Sequence, residues 1–266
     1  MNTSLSGAQR HRDLIDDQFT RQAARFAASP SLHSDAALNL LVDTSGVRAE
    51  HETLDVACGP GSVVAAFARR ARRSVGLDAT EAMLDQARGL AAKLGLANVE
   101  WRRGDVYELP FDDQSFDVVS CRFAFHHLQE PARALAEMTR VCRVGGVIVV
   151  CDGLAADDPA KAAALNSFEL FRDPSTVAFR PLQFHLDLFA AADLPLSRQA
   201  MYQVPVEREA LIAGSFPVDN DRDGLRRMID AAVDGDKFGM NAHWDGDTVR
   251  MSYTAAILVA ERPRGV

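Results

Sequence analysis

Residues 54–62 read LDVACGPGS. The apolar run at 53–57 predicts a strand ending at a glycine loop, and the residues after it predict a helix over 62–72. Gly59 and Gly61 let the loop backbone approach a ligand closely and take positive φ. The new helix points its first unpaired N–H groups at whatever is bound there. Enzymes that bind dinucleotides also use a G-x-G loop. Here the third position of G-x-G-x-x-G is Val64, and Asp55 sets a carboxylate where a pyrophosphate would be repelled. That carboxylate suits a ligand carrying an ammonium group.

Outward from this loop, strand and helix alternate. SVGLD (74–78) predicts a second strand, and Thr80 then caps a helix with Met83, Leu84, Ala87, Leu90 and Ala91 at helical spacing. A third strand is expected over 98–103, a fourth over 116–123, a helix over 131–142 and a fifth strand over 147–152. Continuous apolar strands alternating with helices indicate a parallel sheet covered on both faces. Upstream, residues 1–12 are polar and expected to fray. Helices are expected over 13–28 and 34–43, with Leu14, Phe19, Ala23 and Phe26 near one face and a Ser29-Pro30-Ser31 break between them. Past Asp152, helices are expected over 158–171, 181–192 and near 222–233, and strands over 196–206 and 252–262. The organisation expected is an N-terminal helical lid (1–50), a Rossmann-like core (51–152), and cap elements with C-terminal strands completing the sheet (153–266).

Composition narrows the function. With 29 basic and 37 acidic side chains the net charge is −8, a surface that repels phosphate backbones, so nucleic acid is not the expected partner. The cluster Arg69, Arg70, Arg72 and Arg73 is read as a helix C-terminus complemented by cations. Cys58, Cys121, Cys142 and Cys151 form no C-x-x-C pair or metal-ligand spacing, so no metal is expected and a reducing, cytoplasmic setting fits. The N-terminal stretch has no apolar signal core, and no run is long enough for a membrane span.

The strand ends carry further candidate groups. Asp78 lies 17 residues beyond Gly61, where a carboxylate can accept from both hydroxyls of a ribose. In GDVYELPF (104–111), Asp105 can accept from an adenine amino group while the Val106 N–H donates to a ring nitrogen. The run Phe116–Leu128 sets Arg122, Phe123, His126 and His127 at the carboxyl end of the fourth strand, the edge where open α/β sheets bind ligands.

The series DVACGPG, VGLD, GDVYELPF, FDVVSCRFAFHHL and RVCRVGGVIVVCD resembles the class I S-adenosylmethionine-dependent methyltransferases, most of all the branch related to the ubiquinone/menaquinone C-methyltransferases. The resemblance spans residues 13–152 and fits the remainder in outline. It implies a Rossmann-like, seven-stranded, mostly parallel sheet whose last strand, SYTAAILVAER (252–262), runs antiparallel. It implies S-adenosylmethionine as cofactor, with Asp55, Ala57, Gly59 and Gly61 in the methionine loop and Asp78 on the ribose. Ala79 and Met83 match the adenine-side wall, Asp105 and Val106 the adenine-recognition pair, and Arg122 the position lining the cofactor after the fourth strand. Two positions depart from the pattern: Ser62 stands where many relatives carry a third glycine, and Val144 replaces a common proline before Gly145-Gly146.

Methyl transfer from a sulfonium needs alignment, exclusion of water and sometimes removal of a proton, so no fixed triad is expected. His126, His127, His185 and His33 are the candidate bases. The first two either deprotonate an acceptor or order their loop beside the cofactor, and His185 faces either substrate or solvent. Phe19 and Phe26 either close over the cofactor or pack the lid helix on its own core. Residues 153–195 hold Phe168, Phe171, Phe179, Phe184 and Phe189 but only Lys161, Arg172 and Arg180 as bases, so an apolar or planar acceptor is expected there. The function expected is methylation of a small, aromatic or polyketide-like molecule by a monomer or homodimer. Three rivals stand beside it: a nucleic-acid methyltransferase, disfavoured by the acidic charge and by the lack of an Asn/Asp-Pro-Pro-aromatic motif after the fourth strand; a non-methylating reaction such as cyclisation on the same cofactor; and a nicotinamide-dependent oxidoreductase. The last is disfavoured by Val64 and by the lack of a recognisable hydride-transfer site.

Overall fold

A computed structural model describes residues 7–28 and 34–264. The apolar runs form the sheet as expected: β1 (Glu52–Val56), β2 (Arg73–Asp78), β3 (Val99–Arg103), β4 (Phe116–Arg122) and β5 (Cys142–Gly153) are mutually parallel. β6 (Leu196–Glu207) and β8 (Thr248–Glu261) complete a path ordered β3-β2-β1-β4-β5-β8-β6. β8 is antiparallel to both of its neighbours, so it is the reversed strand of the seven, as expected. An eighth, β7 (His243–Asp245), pairs with the start of β8 and was not foreseen. The strand order reverses between β1 and β4, which makes their carboxyl ends the topological switch point where a ligand crevice opens.

Helices cover both faces. α2 (Asp35–Ser45) and α3 (Ser62–Ala68) bury Leu38, Leu41, Val63 and Phe67 against Val118, Val149 and Ile257. On the opposite face α5 (Pro131–Val141) sets Ala134, Leu135, Met138 and Val141 on the sheet. Each large side chain buried this way contributes roughly 1.5–3 kcal/mol. α4 (Glu81–Leu94) begins after Thr80, which stands at the N-cap as expected, but its side chain makes no capping bond to the helix.

Several boundaries move for physical reasons. α1 begins at Gly7, so residues 7–12 are helical rather than frayed and the helix runs to Ala28. Ser29, Pro30, Ser31 and His33 lie outside the described residues. α3 stops at Ala68, short of 72, because the Asn98 amide donates to the carbonyls of Ala68 and Ala71 and satisfies its C-terminal end. β5 starts at Cys142, with a register shift against β4 between Phe116 and Val118.

Past β5, α6 (Pro159–Arg172), α7 (Leu182–Ala191), α8 (Arg208–Gly214) and α9 (Arg222–Val233) follow; α8 was not expected. α6, α8 and α9 share a second core with the start of β8, in which Phe168 stacks on Phe238 at 4.8 Å. Among the described residues all four cysteines are free and buried, and no helix is long and apolar enough to cross a membrane.

Candidate functional site

The carboxyl ends of β1, β2 and β4 open into a cavity of about 660 Å³, roofed by α1. Of the residues expected to hold a cofactor, Asp55, Ala57, Gly59, Asp78, Ala79, Met83, Asp105, Val106, Arg122 and Phe26 all line it. Gly61 does not. A Cβ there would meet the Trp101 ring at 2.6 Å and the Ala87 methyl at 2.8 Å, so this glycine serves packing of the loop on β3 and α4. A Cβ on Gly59 would meet nothing within 4 Å, and this is the glycine that opens backbone to the cavity. Ala57 (φ 55) and Phe123 (φ 54) both take the left-handed region. For non-glycine residues this is uncommon, and both sit where a strand ends at the cavity wall.

The two strand-end carboxylates are buried. Asp55 accepts from the Ser120 hydroxyl at 2.6 Å, and burial pushes its carboxyl up to about 7 against the opposing pull of that bond and of Arg122. Asp78 accepts from the Gly59 N–H (2.8 Å) and the Thr80 N–H (2.9 Å), and burial outweighs both bonds to raise it. Asp105 accepts from the Tyr107 N–H at 2.9 Å, closing the turn that carries Val106 to the wall. The Arg122 guanidinium lies over Phe123 at 4.4 Å and reaches the Tyr202 hydroxyl at 3.3 Å.

The histidines separate. His127 lines the cavity, with Phe19 edge-on at 5.0 Å; burial, then its neighbour His126, holds its imidazole down to about 4. His126 is not in the cavity wall. Its Nδ1 pairs with Asp152 Oδ1 at 2.6 Å and its ring stacks on Phe179 at 4.4 Å, behind His127. His185 is buried away from the wall as well. Burial lowers it, and neither ring nitrogen has a hydrogen-bond partner among the described residues. The five cap phenylalanines also lie off this cavity: Phe168 and Phe179 belong to the second core, and Phe189 to the first. The apolar wall is supplied instead by Ile15, Phe19, Phe26, Met83, Val106 and Leu128.

Sequence reasoning missed His11, Arg12 and Asp16 of α1, and the rim formed by Tyr107, Glu130 and Arg133. Arg133 stands over the Tyr107 ring at 5.2 Å, and the Tyr107 hydroxyl accepts from the Glu130 N–H at 3.1 Å. His11 and Arg12 fell in the stretch expected to fray, and Asp16 is a polar residue of a helix read only by its apolar face. An i, i+4 reading back from Phe19 to Ile15 and His11 would have found that face.

Residues 54–150 match the family described as a methyltransferase domain. The uncharacterized methyltransferase YcgJ of Bacillus subtilis (strain 168) is 28% identical over 90% of this chain and 96% of its own length. The crystal structure of YcgJ superposes with a TM-score of 0.77, covering 86% of this chain and 99% of that one. The Bacillus halodurans C-125 protein BH2331 gives a TM-score of 0.78 at 26% identity, covering 86% of this chain and 100% of that one. The ubiquinone/menaquinone biosynthesis C-methyltransferase UbiE of Bdellovibrio bacteriovorus is 30% identical over 62% of this chain and 72% of its own length. A buried acidic strand end facing a cavity, an open Gly59 loop and a second carboxylate at Asp78 fit the ammonium and ribose of the cofactor these proteins imply. The chain belongs to the class I S-adenosylmethionine-dependent methyltransferases of Rossmann-like fold, and S-adenosylmethionine is its cofactor.

Proposed function

We propose that this enzyme methylates a small, uncharged or weakly charged acceptor of aromatic or polyketide-like character, with His127 taking the acceptor's proton. The observation that carries the reading is one cavity in which the cofactor carboxylates, an apolar wall and a neutral imidazole meet. Its volume falls within the roughly 300–1,000 Å³ of small-molecule sites. S-adenosylmethionine, when bound, supplies an activated methyl group on a sulfonium. The chain's own residues hold and orient. Asp55 is the proposed partner of the ammonium, Asp78 of the ribose hydroxyls, and Asp105 with the Val106 N–H of the adenine edge. Ala57 and Gly59 bring backbone to the ligand, while Ala79, Met83, Arg122 and Phe26 complete the walls.

Of the three candidate bases among the described residues, His127 is the one that borders the cavity, and being neutral above about pH 4 it can accept a proton at neutral pH. His126, paired to Asp152, packs against it with ring centroids 4.2 Å apart, while His185 is buried off the cavity. α1 acts as the lid, with Phe19 and Phe26 turned to the ligand. The UbiE relative's name, a C-methyltransferase of ubiquinone and menaquinone biosynthesis, supports a planar, apolar acceptor.

The test is a panel of planar phenols, quinones, amines and nucleotides, read as S-adenosylhomocysteine release and product mass. Turnover on the aromatic set is expected; turnover on nucleotides alone overturns the acceptor assignment. In parallel, Asp78→Ala should lose charge-assisted hydrogen bonds and weaken S-adenosylhomocysteine binding by roughly 1.5–3 kcal/mol. Unchanged affinity in calorimetry would remove Asp78 from the ribose site.

A further inference from the structure

His127 is held from behind by a buried chain of polar groups that no cofactor contact explains. Asp173, just past α6, accepts at Oδ1 from the Ser175 hydroxyl (2.6 Å) and from the Ser175 N–H (3.0 Å). The Ser175 hydroxyl has one proton, and the carboxylate takes it. The oxygen is then an acceptor toward His127 Nδ1, 3.2 Å away. His127 therefore carries its proton on Nδ1, and Nε2 keeps its lone pair. With Nδ1 turned to Ser175, Nε2 is the nitrogen left for a ligand in the cavity that His127 borders.

The second oxygen of Asp173 accepts from the Gln22 amide at 3.0 Å, and Gln22 belongs to α1. Gln22 and Ser175 are fully buried, and Asp173 is 2% exposed. α1 touches His127 twice more: Phe19 lies edge-on to its ring, and His11 Nε2 stands 2.8 Å from its carbonyl oxygen. The helix that roofs the cavity thus also completes the support of the imidazole.

We propose that Asp173, acting through Ser175, is the positioning residue that fixes His127 as the Nδ1–H tautomer with Nε2 free for the acceptor, and that Gln22 ties this relay to the docked position of α1. The proposal rests on the reading of His127 as the proton-accepting group. It assigns Asp173, Ser175 and Gln22 a share in proton removal without contact to either substrate. It also makes the base complete only when the lid is in place, as a water-excluding site requires.

The test reads the imidazole directly and needs no acceptor. Long-range 1H–15N correlation spectra of the full chain labelled at histidine, with the His127 signals assigned by their loss in His127→Gln, report its tautomer. The wild type should show a protonated Nδ1 and a bare Nε2. Ser175→Ala should give a tautomer mixture, Ser175→Thr should restore the wild-type pattern, and Asp173→Asn and Gln22→Leu should move toward Ser175→Ala. S-adenosylhomocysteine affinity within about twofold of wild type would show that the Ser175 and Asp173 variants remain folded, and an unchanged cooperative thermal transition would show it for Gln22→Leu. On an acceptor from the panel, Asp173→Asn and Ser175→Ala should lower kcat about a hundredfold with little change in KM. A wild-type Nε2–H tautomer, or Ser175→Ala with an unchanged one, overturns the proposal. If the other variants fail to fold, the wild-type tautomer and its retention in Ser175→Thr still decide the matter. Undiminished turnover by His127→Gln would instead sink the reading of His127 as base, a separate outcome from the relay's.

Discussion

Asp55 shows how one residue can be set by burial for a ligand. It accepts from Ser120 and feels Arg122, yet loss of water dominates and its carboxyl titrates at about 7. At neutral pH about half the empty sites are then protonated. A bound ammonium would favour the charged carboxylate and drive that proton off. S-adenosylhomocysteine binding at pH 7 should therefore release about half a proton from Asp55. Calorimetry in buffers of different ionisation heat measures this; a binding heat independent of buffer at pH 7 would remove Asp55 from the ammonium site. Residues of this kind were legible because a strand end is fixed by its apolar run, and the next polar side chain must face the switch-point crevice. Gly61 was less so: its role depends on Trp101, forty residues downstream, whose ring the sequence gives no reason to lay over this loop. His126 and His127 likewise looked equivalent, and Asp152 with Phe179 draws His126 back from the cavity; His185, read as facing substrate or solvent, is instead buried off the cavity wall.

Among elements, the glycine loop and β3 are joined by one side chain. The half-buried Trp101 ring lies 2.6 Å from the Cβ that either Gly61 or Gly76 would carry. Gly61 has φ 83 besides, so Gly61→Ala adds backbone strain to overpacking. It should destabilise the fold by about 2–4 kcal/mol, while Gly59→Ala, with nothing within 4 Å, should cost only the strain of its φ of 51. Denaturant titration separates the two, and equal losses would contradict the packing role assigned to Gly61. Their ligand effects should invert, since Gly59 borders the cavity and Gly61 does not. Elements with strong periodicity, such as α5, were read correctly because one face is committed to the sheet. α8 and β7 were not, because seven- and three-residue elements carry too little pattern, and tertiary packing in the second core decides them.

Across the whole molecule, the site's titrating groups push stability in opposite directions. His127 is held to about 4 in the fold against 6.5 when unfolded, so the unfolded chain binds the extra proton as pH falls. Stability is lost between about 6.5 and 4, up to about 3 kcal/mol, and His185, also lowered by burial, adds to the loss. The groups facing His127 are His126 on its own turn, Asp152 at the end of β5 and Asp173 past α6, with α1 contributing His11 at its carbonyl. Asp55 acts the other way. Its carboxyl is raised from 3.8 to about 7, so the unfolded chain gives up its proton first, and stability falls as pH rises through that window, by up to about 4 kcal/mol. Asp78, raised by burial, pulls with it. The two windows overlap, and the ligand-free wild type should show a nearly level stability from pH 4 to 7. Asp55→Asn keeps the side-chain shape and an acceptor for Ser120 while removing the charge. It should be more stable than wild type at pH 8 by a few kcal/mol, and it should expose the His127 slope as a steady loss from pH 6.5 down to 4. The same substitution should weaken cofactor binding if the proposal for Asp55 holds, because the carboxylate that costs the empty fold stability is the one proposed to meet the ammonium. Guanidinium titrations of both proteins at half-unit pH steps test this. An Asp55→Asn variant no more stable than wild type at pH 8, with the same level profile in acid, would show that Asp55 does not carry its charge at the expense of the fold.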